Sequence, residues 1–209
     1  MRPPRMRVAL FGRSPAGIDL AGEMARAGHE IVEISNPAEL SSFEALIIAV
    51  GDARLDAAVE LLEPHVHRGL IAVHTCLSRG VQVLDPLETR GCVVAALAPI
   101  VSGRWAATTL DELGETIVEL IAGEFHADVL ALSDAERAPF AARVYYADML
   151  HRLQVPAARE AEFFAPTEEW PPVGSDFDSQ EAIAAYRGAT DPGLRRSYVE
   201  VARRLGEVD

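Results

Sequence analysis

The chain has 209 residues, a mass of 22.6 kDa and a hydrophobic fraction of 49%, enough to bury a core and too apolar for a disordered chain. Its formal charge is −13 and all 19 basic residues are arginine, which excludes a lysine base, a Schiff base and a P-loop lysine. The charge is uneven, −2 over residues 1–106 and −11 over 107–209, so nucleic acid and anionic membranes are not expected partners. Two cysteines, Cys76 and Cys92, match neither a metal site nor a disulfide framework and fit buried thiols. The apolar run behind the basic start, Val8 to Phe11, is too short for a signal-peptide core, and no stretch reaches the ~18 apolar residues of a membrane span. A cytoplasmic location is expected.

Arg7 to Phe11 reads as a buried strand running into Gly12. A helix is expected over Pro15–Ala27, with Leu20, Ala21, Met24 and Ala25 on one face and Gly28 as its stop. Glu30–Ser35 is a second strand, and Ala45–Val50 a continuous apolar run of the kind found in a parallel sheet covered on both faces. An amphipathic helix follows over Arg54–Val66, then a strand at Leu70–Val73, a short helix over Val81–Thr89 and a strand at Cys92–Leu97. This alternation predicts a doubly wound α/β sheet. The connection from Asn36 to Glu44 holds only nine residues, which reach at most about 30 Å. It must be nearly extended or hold one helical turn, and the sheet is abbreviated on that side.

Beyond residue 107 the pattern turns helical. Leu113–Ile121 is a helix and Asp128–Leu132 a last strand. Ser133-Asp134-Ala135-Glu136 is a capping-box pattern opening a helix to about Leu153. Helical pieces are expected at 156–164, 179–187 and 193–206, with a Pro- and Gly-bearing loop over Ala165–Asp178. The expected division is an α/β domain over 1–132 and a helical appendage over 133–209.

The turn Gly12-Arg13-Ser14-Pro15-Ala16-Gly17 follows a strand and opens a helix, the place of a dinucleotide fingerprint. Gly12 permits the tight turn and Gly17 close packing of helix on strand, while the helix N-terminus offers N–H groups to a pyrophosphate. The middle glycine is replaced by Ser14, which either donates to phosphate or crowds it. At the end of the second strand, where an acid favours NAD, stand Ser35 and Asn36, with Glu33 two residues earlier inside the strand; the missing acid leans slightly toward NADP, and Arg13 either reaches a 2′-phosphate or is simply solvated. The later strand ends supply Gly51 and Asp52, then His74 to Ser78, then Pro99 with Ser102, Gly103 and Arg104. His74 is the histidine at such an end and the first candidate for proton transfer, against a structural role bonding a neighbouring loop. His65 and His67 look like solvated cations at a helix end, and no metal site is expected.

Together these residues resemble the 6-phosphogluconate-dehydrogenase-like superfamily, and within it a branch of short proteins akin to pyrroline-5-carboxylate reductase. The counterparts are Gly12 to Gly17, Ala49-Val50-Gly51-Asp52-Ala53, Val73-His74-Thr75-Cys76, Leu97-Ala98-Pro99, and Leu132-Ser133 through Arg137. The resemblance covers most of residues 7–155 and implies an N-terminal Rossmann domain, a helical C-terminal domain that dimerises, and a substrate held between them. It departs where the branch has a Leu-His-Pro histidine, here Ala98, and where the first long C-terminal helix carries a polar pair, here Ala147-Asp148. The lysine that hydroxyacid dehydrogenases use on that helix has no counterpart.

The expected function is hydride transfer between NADP or NAD and a small molecule. Gly12, Arg13, Ser14, Gly17, Ser35, Asn36, Gly51 and Asp52 would hold the cofactor, and His74 or Asp148 would assist the proton. Two rivals stand beside it. One is a non-catalytic nucleotide-binding or regulatory protein derived from such an enzyme; the other is a dimerising partner in which Ser14 closes the phosphate site.

Overall fold

The structure, a computed structural model, describes residues 5–160 and 179–208. The strands are β1 (Arg7–Gly12), β2 (Glu30–Ile34), β3 (Ala45–Ala49), β4 (Ile71–His74), β5 (Val93–Val101), β6 (Arg104–Thr109) and β7 (Asp128–Ala131). The helices are α1 (Pro15–Ala27), α2 (Asp52–Leu62), α3 (Asp85–Thr89), α4 (Glu112–Glu124), α5 (Asp134–Glu160), α6 (Ser179–Ala185) and α7 (Pro192–Val208). Among the described residues the strands form one sheet in the order β2-β1-β3-β4-β5-β6-β7, parallel except at β5–β6. The predicted α/β class with a helical end is therefore the observed one.

The pleat explains the apolar runs. Along β3, Ala45, Ile47 and Ala49 face the layer with Leu20, Met24, Val118 and Ile121 of α1 and α4. Leu46 and Ile48 face the opposite layer, with Leu55, Val59 and Leu62 of α2 and Leu87 of α3. A strand buried on both faces has no polar side to show, so its sequence is a run rather than an alternation. The short crossover to β3 is a 3-10 turn over Pro37–Ser42, opened by Asn36, whose Oδ1 accepts from the Ala38 N–H at 3.1 Å. Leu40 and Phe43 are buried beneath it.

Because the chain leaves β1 for β2 on one side and returns to β3 on the other, the sheet order reverses between β1 and β3. The crevice outside the C-terminal ends of strands at such a reversal is where open α/β sheets take ligands.

Three expectations are corrected. The last parallel strand runs on to Val101, so Pro99 lies within it, and Ser102-Gly103 is a hairpin turn rather than a loop into the crevice. Gly103 adopts φ +75, a left-handed conformation that favours glycine, and sends the chain back as β6 from Arg104. The helix from Ser133 does not stop near Leu153; α5 is continuous to Glu160, through Pro156. The remainder of the expected 156–164 piece and the loop over Ala165–Asp178 lie outside the described residues.

After β7 the helices pack as a third cluster. Ala141, Val144, Tyr145 and Met149 of α5 meet Ala182 and Ala185 of α6 and Tyr198 and Leu205 of α7, against Leu77, Ala98 and Ala106 of the α/β part.

Candidate functional site

The crevice begins at Gly12. Its φ of +94 suits glycine, and a Cβ there would collide with the Ala49 carbonyl oxygen. A Cβ on Gly17 would collide with the Ala49 side chain, so that glycine lets α1 lie directly on β3. Both glycines are thus demanded by packing whether or not a ligand binds. Ser14, buried, is the N-cap of α1: its hydroxyl accepts from the Gly17 N–H at 3.3 Å and lies 3.5 Å from the Thr75 hydroxyl. Its own N–H donates to Ala49 O at 2.9 Å. Pro15 has no N–H, and among the described residues the Ala16 N–H of this helix start has no hydrogen-bond acceptor.

Arg13 is not free for a phosphate in this state. Its guanidinium forks onto Glu33 of β2, with Nε 3.0 Å from Oε2 and NH2 2.8 Å from Oε1. Both side chains are exposed, and the pairing raises the arginine pKa and lowers the glutamate pKa. The strand end itself carries no acid, and Glu33, two residues before Ser35 and inside β2, is bonded to the arginine of the glycine turn. Ser35 is exposed beyond it, and Asn36 spends its side chain on the 3-10 turn.

Asp52 opens α2 at the C-terminal end of β3 and is only 7% exposed. Its Oδ2 accepts from the Ser78 hydroxyl, and its Oδ1 has no partner. Burial pushes its pKa up, against hydrogen bonding to Glu181 and Cys76 and the charges of Arg79 and Arg137. Glu181 arrives from α6 and accepts from the Asp52 N–H at 2.7 Å.

His74, fully buried, has both ring nitrogens engaged by backbone. Nε2–H donates to Gly80 O at 3.0 Å and Nδ1 accepts from the Cys76 N–H at 3.2 Å. Burial, with the charge of Arg137, drives its pKa down to about 3, so the ring is neutral. This geometry folds the 74–80 loop and presents no open nitrogen to a substrate. Asp148, 1% exposed on α5, accepts from Arg152 Nε at 2.9 Å and has an unpartnered Oδ1. No hydrogen bond joins His74 to Asp148 among the described residues.

The same loop is held by residues that the sequence reading gave no role. Arg137, fully buried on α5, donates from NH2 to Cys76 O at 2.8 Å and from NH1 to Ala106 O at 3.4 Å and Thr108 Oγ1 at 3.3 Å. Its Nε has no partner, and burial lowers its pKa to about 10. Asp134, one turn earlier, accepts from the Val81 and Gln82 N–H groups at 2.7 and 3.1 Å. Arg79 forks onto Asp56 of α2 at 3.0 and 2.7 Å. The Leu132-Ser133 to Arg137 motif was the available signal for Arg137. Glu181, 129 residues from Asp52, left none in the sequence.

Cys76 is buried, its thiol donates to Val50 O at 3.2 Å, and burial pushes its pKa well up, away from nucleophilic use. An open groove of about 950 Å³ lies elsewhere, between the β5–β7 ends and α5, lined by Ile100, Arg104, Val129, Phe140, Arg143 and Val144 among others. It contains none of the predicted cofactor residues. Among the described residues no cluster of three His, Cys, Asp or Glu is placed to hold a metal, and no helix is long and apolar enough to cross a membrane.

The Rossmann-like domain family matches residues 40–99. No curated protein matches the sequence. Solved structures similar in fold include Plasmodium falciparum pyrroline carboxylate reductase with NADP bound (TM-score 0.60, 10% identity, 97% of each chain covered). Mycobacterium tuberculosis 3-hydroxyisobutyrate dehydrogenase gives a TM-score of 0.64 at 9% identity, covering 98% of this chain and 94% of that one. Synechocystis arogenate dehydrogenase gives 0.58 at 13% identity, covering 96% and 85%. The chain thus shares with these structures its fold, a Rossmann-like sheet followed by helices.

Proposed function

We propose that the chain binds NADP or NAD in the crevice at β1, β3 and β4 and transfers hydride to or from a small molecule. One observation carries this reading: the glycine turn Gly12–Gly17 lies at the reversal of the sheet order, with the Ala16 N–H open at the start of α1. The residues present fit a dinucleotide. Ala16 offers a donor to a pyrophosphate, Ser14 a hydroxyl, and Asp52 Oδ1 an unsatisfied acceptor further along the crevice.

The cofactor supplies the hydride; the chain supplies position and a proton. The proposed proton holder is Asp52 with Ser78, a buried carboxyl whose pKa is raised and whose partner hydroxyl lies on the loop that His74 folds. Asp148 is the second buried acid in the proposal, on α5, the helix that carries Arg137. His74, with both nitrogens engaged, acts by positioning Thr75 to Ser78. We propose that the Arg13–Glu33 pair reads the 2′ position of the adenosine ribose, Arg13 turning from Glu33 to a 2′-phosphate, with a lean to NADP.

Fluorescence titration with NADPH and NADH tests this. Arg13→Ala is expected to weaken NADPH roughly ten-fold and leave NADH unchanged; equal effects on both would remove the 2′ assignment. A second reading, nucleotide binding without catalysis, draws on His74 and on Ala98, fully buried where the resembled branch has a histidine. It predicts the same titrations with no turnover of any carbonyl or imine substrate.

A further inference from the structure

Helix α2 has no cap of its own. Its N-cap is Gly51, which has no side chain to offer, and the first N–H groups of a helix must find acceptors. The acceptor for Asp52 comes from the far end of the chain: Glu181 Oε1 sits 2.7 Å from the Asp52 nitrogen and 2.7 Å from the position a Cβ on Gly51 would take. The turn it covers is the β3–α2 turn, next to the glycine turn of β1, on the wall of the crevice assigned above to the cofactor.

The fit of Glu181 to that turn is incomplete. The charged and titratable groups acting on the Asp52 carboxyl of that turn are Glu181, the Cys76 thiol, Arg79 and Arg137, and Glu181 also acts on the Cys76 thiol. Asp52, itself 7% exposed, sets a second carboxyl beside Glu181 and keeps Oδ1 without a partner. Glu181 satisfies the N–H and hydrogen-bonds the Asp52 carboxyl, yet Oδ1 is still left without a partner. A carboxamide has both, a carbonyl for the Asp52 N–H and an amino group for Oδ1. The nicotinamide end of a dinucleotide carries that group.

We propose that Glu181 is an internal competitor for the cofactor: it caps α2 in the free protein and yields the β3–α2 turn to the carboxamide of an incoming nicotinamide nucleotide. The inference rests on the cofactor reading above. Release needs only the Glu181 side chain to swing away, since α6 stays anchored through Ala182 O, which accepts from the Tyr198 hydroxyl at 2.6 Å. The apparent affinity of the free protein is then reduced by the fraction that is open.

Isothermal titration of wild type, Glu181→Ala and Ile183→Ala with NADPH and NADH tests this, Ile183 being an exposed residue of the same helix. Glu181→Ala is expected to bind about ten-fold tighter if about nine-tenths of the wild type is capped. Ile183→Ala should bind as the wild type does, and the Asp52 amide resonance should shift both on Glu181→Ala and on nucleotide binding to the wild type. Equal or weaker binding by Glu181→Ala overturns the competition while leaving the cofactor reading intact. No binding by any of the three proteins overturns the cofactor reading and the inference together.

Discussion

His74 was the histidine that chain position singled out, and its surroundings explain why position alone misleads. A histidine at the C-terminal end of a central parallel strand is both near the crevice and deep in the sheet, and here the depth decides its chemistry. With Nδ1 accepting from Cys76 and Nε2–H donating to Gly80, protonation would break the first bond and bury a charge beside Arg137. Its pKa therefore falls from 6.5 to about 3 in the folded state. The sign follows: below pH 6.5 the unfolded chain takes up a proton that the folded chain refuses, so stability falls as pH drops through that window. The loss from this group is about 1.4 kcal/mol per pH unit. His74→Gln should be less stable than the wild type at pH 7 and show a correspondingly flatter slope between pH 6 and 4 in urea titrations; an unchanged slope would show that His74 titrates normally.

At the scale of elements, the loop from Thr75 to Gly80 and the start of α5 form one unit. Asp134 caps the turn at Val81 and Gln82, and Arg137 ties Cys76 O to Ala106 O and Thr108. An arginine with no surface exposure is costly to bury, and it is held here by carbonyl and hydroxyl acceptors instead of a hydrogen-bonded carboxylate. Arg137→Met should destabilise the protein by roughly 2–4 kcal/mol, because those acceptors lose their donor. It should also loosen Thr75 to Ser78, read as faster amide exchange there. A midpoint in urea unchanged from wild type would remove the stapling role. The parallel elements were legible because apolar runs and glycine stops mark them: α1 was expected at the bounds observed, Pro15–Ala27. The antiparallel β6 was not, since Arg104 to Thr109 is short and its one large apolar residue is Trp105, while Pro99 marked a strand end that the sheet carries past to Val101. In the site, Gly12, Ser14, Gly17 and Asp52 were legible from their turns. Glu181 acts through a contact across 129 residues, which local pattern does not encode; Arg137 was marked by the Leu132-Ser133 to Arg137 motif, but its contact across 61 residues was not.

At the scale of the whole molecule, the charge asymmetry and the exposed edge of the sheet bear on assembly. All four residues of β7 are exposed, Val129 and Leu130 among them, on an edge strand beside the apolar groove under α5. We propose a homodimer, and light scattering should give about twice the 22.6 kDa chain mass; a monomer at micromolar concentration would contradict it. The strongly negative C-terminal half makes such an association tighter at moderate salt than at low salt. Dimer or monomer, the crevice at β1 and β3 is built within one chain, and it is there that we propose a nicotinamide dinucleotide binds. Thermal unfolding with and without millimolar NADPH, NADP, NADH and NAD tests that most directly. A ligand at a hundred times its Kd adds about 2.7 kcal/mol, which for a chain of this size raises Tm by about 5–10 °C. A rise with NADPH or NADP above that with NADH or NAD is expected; no rise with any of the four would mean that the crevice takes no nicotinamide nucleotide.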